Sequence, residues 1–135
     1  MDQKTLIKKA LKAKENSYSP YSKFKVGAAL LAKDGSIYCG ANIENAAYGP
    51  SNCAERTAFF TAVFEGQRDF EAIAIAGGYN DETSDYCYPC GVCRQVMREF
   101  CNPDTFKLII VKNENEYKEY LLKELFPHSF GPDDL

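Results

Sequence analysis

The chain has 135 residues, of which 45% are apolar and 26% are charged, and its formal net charge is -3. This length and composition predict one globular domain with a single core, covering residues 1–135. Without a basic block or a long apolar run, the sequence argues against nucleic-acid binding, a membrane-surface site and a membrane span.

The first predicted element is an amphipathic helix in "DQKTLIKKALKAKEN", where Leu6, Ile7, Ala10 and Leu11 share one face. Because this segment contains acidic residues and no apolar signal core, it is interpreted as part of the mature protein. That interpretation favours a cytoplasmic location, where thiols stay reduced. Six cysteines in such a protein indicate metal binding or catalysis before disulfides.

Two strands and a helix follow the breaker-rich loop "NSYSPYSKF". The stretch "KVGAALLAKDGSIYCGAN" predicts a hairpin around Asp34 and Gly35. "NCAERTAFFTAVFEG" predicts a helix with Asn52 at the N-cap and Gly66 just beyond the end. Since this helix is apolar nearly all round, we expect it to be buried on several sides, which in a short chain favours contacts between subunits.

The second half of the chain alternates strands and helices. "EAIAIAGG" predicts a strand, "YNDETSDYCY" a polar loop, "CGVCRQVMREFC" a helix, "FKLIIVKN" a buried strand, "EYKEY" an edge strand and "LLKELFP" a short helix. The resulting order, αββαβαββα, predicts an α/β protein in which helices cover a sheet that begins with a hairpin.

Three cysteines are predicted to converge where helices begin. Cys53 opens the second helix, Cys90 opens the third, and Cys93 lies one turn later on the face of Cys90. If both helices follow adjacent parallel strands, their N-termini lie at one edge of the sheet, and their partial positive charge lowers the thiol pKa values. Three protein ligands leave the fourth position of zinc open, as in catalytic zinc sites.

Glu55 is the candidate proton carrier beside this metal. It follows Cys53 by two residues, so both can reach one cation only if Cys53 lies at the helix cap. A carboxylate in that place can take a proton from water and pass it on. A structural alternative stays open, because Asn52 and Glu55 have the spacing of a capping box.

The cysteine motif "CYPCGVC" has other interpretations. Its "CGVC" alone matches a redox pair, and the whole motif has the start of an iron–sulfur spacing. The redox interpretation leaves Cys53 unexplained, and a fourth cluster cysteine is missing at the usual distance. Cys39 and Cys101 are predicted to be small buried hydrophobic residues.

The motifs "NCAERTA" and "PCGVCRQV" together resemble the cytidine deaminase family, as do "PYSKFKVGAAL", "ANIENAAY" and "ELFPHSF". The resemblance covers most of the chain and implies a cytidine deaminase-like fold, three-layer α/β/α with a mixed five-stranded sheet. It also implies one Zn²⁺ per subunit and a homotetramer whose active sites are shared between subunits. The implied reaction is hydrolytic deamination of cytidine, and of 2′-deoxycytidine, in pyrimidine salvage.

By this resemblance Cys53, Cys90 and Cys93 correspond to zinc ligands, and Glu55 corresponds to the proton shuttle. The resemblance also implies a set of substrate contacts. Phe24 corresponds to an aromatic residue at the base, and Asn42 and Glu44 correspond to residues that hydrogen-bond the ribose. The backbone at Ala54 would contact the cytosine edge, and Phe130 corresponds to an aromatic residue that enters a neighbour's active site. On composition alone, the aromatic members of this set are core residues and the polar ones a solvated face.

Four further residues bear on the metal loop. Tyr88 stands where the family has a small hydroxyl residue, and Cys87 adds a third thiol to the motif. Three thiolates outweigh Zn²⁺ by one negative charge. We therefore expect Arg56, Arg94 or both to hydrogen-bond the sulfurs and offset this charge, the alternative being surface arginines.

Two rival functions remain at this point. One is a deaminase for another aminopyrimidine, such as an aminonucleoside or a nucleotide, although "NIEN" favours an unphosphorylated ribose. The other is a non-catalytic zinc or iron–sulfur binding module.

Overall fold

The computed structural model describes residues 2–79 and 85–135, and the predicted order of elements is confirmed in full. The elements are α1 (Gln3–Ala13), β1 (Phe24–Ala32), β2 (Ile37–Ala41), α2 (Ala54–Phe64), β3 (Phe70–Tyr79), α3 (Gly91–Phe100), β4 (Lys107–Val111), β5 (Tyr117–Leu121) and α4 (Leu122–Leu125). Short 3-10 turns cover Lys14–Asn16 and Pro132–Asp134. Half of the predicted loop "YNDETSDYCY", residues 80–84, lies outside the described residues.

The five strands form one mixed sheet in the order β2-β1-β3-β4-β5. Only the β3–β4 pairing is parallel, and the other three pairings are antiparallel. The central strands β1, β3 and β4 are almost continuously buried, as their apolar runs require. The predicted edge strand "EYKEY" is β5, and its side chains are exposed or half-buried.

Two apolar clusters, one on each face of the sheet, give the predicted three-layer α/β/α architecture. The first cluster packs α2 and α3 against one face and includes Phe59, Ile73, Met97 and Leu108. The second packs α1 against the other face and includes Leu6 and the rest of the predicted apolar side of that helix. The alternating side chains of β1 and β3 contribute to both clusters, because successive residues of a strand point to opposite faces.

Two glycines let helices approach the sheet closely. A Cβ atom at Gly27 would lie 2.3 Å from the Ala10 carbonyl oxygen in α1, and one at Gly40 would lie 2.5 Å from the Ala58 nitrogen in α2. Any larger residue would push the helix off the strand. The predicted hairpin is also present, and Gly35 at its turn has a φ of +94° that favours glycine.

Three predictions about burial have different outcomes. Cys101 is buried as expected, whereas Cys39 is exposed, because β2 lies at the edge of the sheet. Within this chain α2 is not buried all round, since the Phe64 side chain is 89% exposed and Phe60 is 49% exposed. Gly66 follows the end of α2 in the left-handed region, as predicted.

The sheet topology differs in one respect from the arrangement predicted for the site. The two strands that precede α2 and α3 are not adjacent, because β1 lies between β2 and β3. Both are antiparallel to β1, so they still run in the same direction and end at the same edge. The N-termini of α2 and α3 therefore meet there. Within the described residues, no helix has the length and apolar character that crossing a membrane requires.

Candidate active site

Three cysteine thiols converge at the N-termini of α2 and α3. Cys53 is the N-cap of α2, Cys90 is the N-cap of α3, and Cys93 lies in the first turn of α3. The Cys53 and Cys90 sulfurs are 3.7 Å apart, the Cys90 and Cys93 sulfurs are 3.5 Å apart, and all three lie within 4.8 Å of one another. Within residues 2–79 and 85–135 this is the one cluster of metal-ligating side chains.

The spacing of the sulfurs fits a tetrahedral zinc ion. With zinc–sulfur bonds of about 2.3 Å, two sulfurs at the corners of a tetrahedron are about 3.8 Å apart. The two short separations are close to this value, so little movement is needed for three thiolates to share one ion. The donor set also fits, because thiolates select zinc over harder ions such as magnesium.

The start of α2 decides between two interpretations of Glu55. The prediction that Asn52 is the N-cap is wrong. The N-cap is Cys53, which has an extended conformation, and the helix begins at Ala54. Asn52 instead forms a β-bridge with Ile43, and its side chain donates to the Thr57 hydroxyl. Glu55 is consequently the second residue of the helix and does not close a capping box.

The Glu55 side chain is buried beside the thiols. Only 4% of this residue is exposed. Burial raises the pKa of Glu55 to about 7, and the neighbouring Cys53 thiolate acts in the same direction. A carboxyl group with such a pKa can accept and release a proton near neutral pH.

Arg56 contacts the thiol cluster as expected. Its Nη2 donates to the Cys53 sulfur at 3.3 Å, and its Nε is buried without a partner among the described residues. The pKa of Cys53 is lowered, because Cys93 and then Arg56 donate hydrogen bonds to its sulfur. The pKa of Cys93 is raised, because it is the donor in that pair and is buried.

Arg94, the second candidate for a hydrogen bond to the sulfurs, has other partners. Its Nη1 donates to the Leu125 carbonyl oxygen at 2.6 Å, and its guanidinium lies 5.5 Å from the centre of the Phe126 ring. Among the described residues it donates no hydrogen bond to a thiol. It is not a free surface arginine either, because it ties α3 to the end of α4.

A cavity of about 270 Å³ opens over the cluster. The predicted residues that line it are Asn42, Glu44, Cys53, Ala54, Glu55, Arg56 and Cys90. A larger cavity of about 460 Å³ lies between α1, β3 and β4, but no cysteine lines it. Volume alone therefore does not identify the site.

The two predicted ribose-binding residues lie just beyond β2, not on it, and both are already held by hydrogen bonds. The Asn42 amide donates to the Phe24 carbonyl and accepts from the Val26 amide, which joins β2 to the start of β1. The Glu44 carboxylate accepts hydrogen bonds from the Tyr21 and Ser22 amides. The Ser22 contacts lower the pKa of Glu44, so its carboxylate is charged.

The three remaining predicted substrate contacts differ in their position relative to the cavity. Ala54 is fully buried at the start of α2 and lines the cavity. Phe24 lies at the same sheet edge, where its ring packs edge-on against Tyr79 at 5.1 Å, but it does not line the cavity. Phe130 lies outside the cavity of its own chain and is 57% exposed.

Five cavity residues were not among the predicted site residues: Val26, Ser51, Asn52, Cys87 and Tyr88. Val26 could have been found, because it lies two residues after Phe24 and therefore on the same face of β1. Cys87 lies outside the thiol cluster, and burial raises its pKa to about 12. The Tyr88 hydroxyl lies 2.7 Å from the Tyr120 hydroxyl on β5. These residues are 32 positions apart in the chain, so no local pattern predicts their contact.

Comparisons with known proteins agree with this geometry. Residues 1–109 match the family described as "cytidine and deoxycytidylate deaminase zinc-binding region". The cytidine deaminase of Halalkalibacterium halodurans is 50% identical over 135 residues, covering 100% of this chain and 98% of that protein. The cytidine deaminase of Sporosarcina psychrophila is 48% identical over the same length, covering 100% and 96%.

Solved structures show the same similarity. The crystal structure of cytidine deaminase from Burkholderia pseudomallei has a TM-score of 0.88 and 44% identity, covering 96% of this chain and 100% of that chain. The cytidine deaminase structure from Mycobacterium tuberculosis has a TM-score of 0.80 and 34% identity, covering 97% and 98%.

Proposed function

The chain belongs to the cytidine deaminases of the cytidine and deoxycytidylate deaminase superfamily, and from this premise we propose that it hydrolyses cytidine and 2′-deoxycytidine to uridine or deoxyuridine and ammonia. The observation that carries the proposal is a buried carboxyl, Glu55, beside three converging thiols at a cavity. We place the activity in pyrimidine salvage in the cytoplasm.

Cys53, Cys90 and Cys93 would hold one Zn²⁺ per chain. When bound, zinc activates water for attack on an electrophilic carbon. Arg56 favours the thiolate form of Cys53, which the metal requires, and the partial positive charge of the two helix N-termini acts in the same direction.

Glu55 moves the protons of the reaction. Its carboxylate accepts a proton from water as the oxygen bonds to C4 of the cytosine ring, and it delivers that proton to N3. It then takes the second proton of the same oxygen and gives it to the amino group. The C4–N4 bond breaks, ammonia leaves, and the C4 carbonyl of uracil forms. Burial of Glu55 supports this role, because it brings the pKa near 7.

The cavity lining would orient the nucleoside. We assign Asn42 and Glu44 to the ribose hydroxyls, the backbone at Ala54 to the cytosine edge and Phe24 to the base. Glu44 is well suited to this role because two backbone amides already fix its carboxylate. A charged carboxylate at the ribose end would also repel a 5′-phosphate, which favours nucleosides over nucleotides.

We further propose that residues 1–135 form one catalytic domain and that four copies assemble with shared sites. One sheet connects all the described elements, which supports the single domain. The exposed Phe60 and Phe64 on α2 support burial against another copy. The exposed Phe130 supports the shared site, in which it would complete the cavity of a neighbour.

The purified protein should consume cytidine, measured as loss of cytidine absorbance together with release of ammonia. A chelator should stop the reaction, and added zinc should restore it. Cytidine monophosphate should be a poor substrate in the same assay. A protein that contains zinc but deaminates neither cytidine nor deoxycytidine would contradict the proposal, and visible absorbance from a cluster would favour an iron–sulfur module.

Arg56→Gln should lower kcat/KM for cytidine by about tenfold to a hundredfold, a cost typical of residues that support metal ligands. The substitution removes the donor to the Cys53 sulfur and a positive charge beside three thiolates. Arg68→Gln is the matched control, because within residues 2–79 and 85–135 the Arg68 guanidinium donates only to the carbonyls of Val63 and Gln67. Zinc content should be measured in both variants. Equal kcat/KM values in the two would refute the charge-offset role of Arg56.

Mixed oligomers should reveal whether Phe130 acts in a neighbouring site. Glu55→Gln chains supply an intact Phe130, and Phe130→Ala chains supply an intact Glu55. Mixing them should restore part of the activity that each lacks. Cys93→Ser chains mixed with Glu55→Gln chains are the control. They should show no rescue, since neither chain then has both Glu55 and the full set of three thiols. Absence of rescue in verified Phe130 mixtures would place that ring in its own subunit.

A further inference from the structure

The helix α3 carries a row of polar side chains that face away from the core. Cys93 and Met97 are buried on its inner side. Arg98 follows Gln95 by three residues and Arg94 by four, so each of them is its neighbour on the helix surface. Arg94 binds the last residue of α4, and Gln95 and Arg98 bind the chain that follows α4. The same helix therefore holds metal ligands at its start and the C-terminal segment along its length.

Gln95 and Arg98 hold the segment on both sides of Phe130. Gln95 Nε2 donates to the Phe130 carbonyl oxygen at 2.9 Å. Arg98 Nε donates to the Ser129 hydroxyl at 3.1 Å, and its Nη2 lies 3.5 Å from a carboxylate oxygen of Asp133. The Arg98 side chain is only 12% exposed and its contact with Ser129 is partly buried, whereas the Asp133 side chain is 90% exposed.

Gly131 lies directly against the Arg98 side chain. A Cβ atom at this position would lie 2.5 Å from the Arg98 Cζ and 2.6 Å from its Nη1. The backbone of Gly131 thus passes directly against the guanidinium, and a side chain there would displace it. His128, at the start of the segment, has a φ of +52°, a left-handed conformation that non-glycine residues adopt only when their surroundings hold them.

These contacts fix the backbone at Phe130 while leaving its ring outside. Phe130 is 57% exposed, and among the described residues its ring packs on no other aromatic ring. A segment with a fixed backbone loses less conformational entropy when its side chain meets a partner than a free segment would. The arrangement therefore pre-organises an exposed aromatic side chain for a contact outside its own chain.

We propose that Gln95 and Arg98, the α3 clamp, position Phe130 for contact with the nucleoside in the site of a neighbouring copy. The proposal rests on the proposed function, in which Phe130 completes that site. Gln95 and Arg98 touch neither substrate nor metal, so they are positioning residues. Their effect passes through Phe130 and falls on substrate binding.

A double-mutant cycle on the full protein tests this coupling. Arg98→Gln, Phe130→Ala and the double variant are compared with the parent, with kcat and KM for cytidine measured alongside zinc content and oligomer mass. Arg98→Gln should raise KM by about tenfold with a smaller change in kcat. In the Phe130→Ala background the same substitution should change KM by less than about twofold, since the ring that it positions is absent.

Two further variants separate positioning from a general effect on α3. Gly131→Ala keeps Arg98 but displaces its guanidinium, so it should raise KM as Arg98→Gln does. Glu99→Gln changes one charge on the next residue of the helix. Glu99 is exposed and forms no hydrogen bond or ion pair among the described residues, so this control should keep the parental KM.

The outcomes have distinct meanings. If Arg98→Gln raised KM as much in the Phe130→Ala background as in the parent, the proposal of the α3 clamp would be overturned. A parental KM in both Arg98→Gln and Gly131→Ala would overturn it as well. A parental KM in Phe130→Ala itself would overturn both the clamp and the shared site, while leaving the deaminase activity standing. A parent protein with zinc but no activity on cytidine would instead refute the proposed function.

Discussion

Glu55→Gln is expected to lose nearly all turnover of cytidine, with kcat reduced by about a thousandfold or more, because general acid–base catalysis contributes about 10²–10⁴. The amide has the shape of the carboxylate but cannot accept the proton from water. Glu55 lies at the second position of α2 and makes no capping-box contact, so the helix should form as before. The thiols are unchanged, so zinc content should also match the parent.

The measurement is kcat for cytidine together with zinc per chain and the thermal unfolding midpoint. Glu65→Gln is the matched control, because Glu65 follows the same helix at its far end and is exposed. It should keep parental turnover. If Glu55→Gln retained zinc and near-parental turnover, the buried carboxyl would have only a structural role.

Cys93→Ser should lose zinc and, with it, activity. Cys93 is 1% exposed and its sulfur lies 3.5 Å from that of Cys90, so its removal leaves two thiols to hold the ion. A serine hydroxyl does not replace a thiolate as a zinc ligand at neutral pH. We expect zinc occupancy well below that of the parent and kcat/KM lower by about a hundredfold or more.

Cys87→Ser is the matched comparison within the same motif. Cys87 lines the cavity but lies outside the thiol cluster, so zinc occupancy should stay at the parental level. Zinc per chain, measured after exposure to a competing chelator, checks both variants. Zinc loss in a folded Cys87→Ser protein, with retention in Cys93→Ser, would mean that a different thiol of "CYPCGVC" holds the metal.

The predicted elements were confirmed because their signals are local. The turn at Asp34 and Gly35, the apolar face of α1 and the glycine after α2 are each encoded within a few neighbouring residues. The metal motif is also partly local, since Cys90 and Cys93 share a helix start whatever surrounds them.

The predictions that failed depend on distant contacts. Asn52 has the chemistry of an N-cap, but its β-bridge with Ile43 takes it out of the helix and leaves Cys53 at the cap. Cys39 has an apolar pattern around it, but the position of β2 at the sheet edge exposes it. Arg94 lies beside a metal motif in sequence, yet its partner is a carbonyl 31 residues away.

The sequence by itself determined the order of helices and strands, the three thiols and the carboxyl between them, because periodicity, turn chemistry and ligand spacing act over a few residues. Only the tertiary structure decided that β1 separates β2 from β3, that Glu55 is buried and that α3 holds the C-terminal segment. Strand order and burial are set by packing between elements far apart in the chain, where many arrangements satisfy the same local pattern and the packed core selects one.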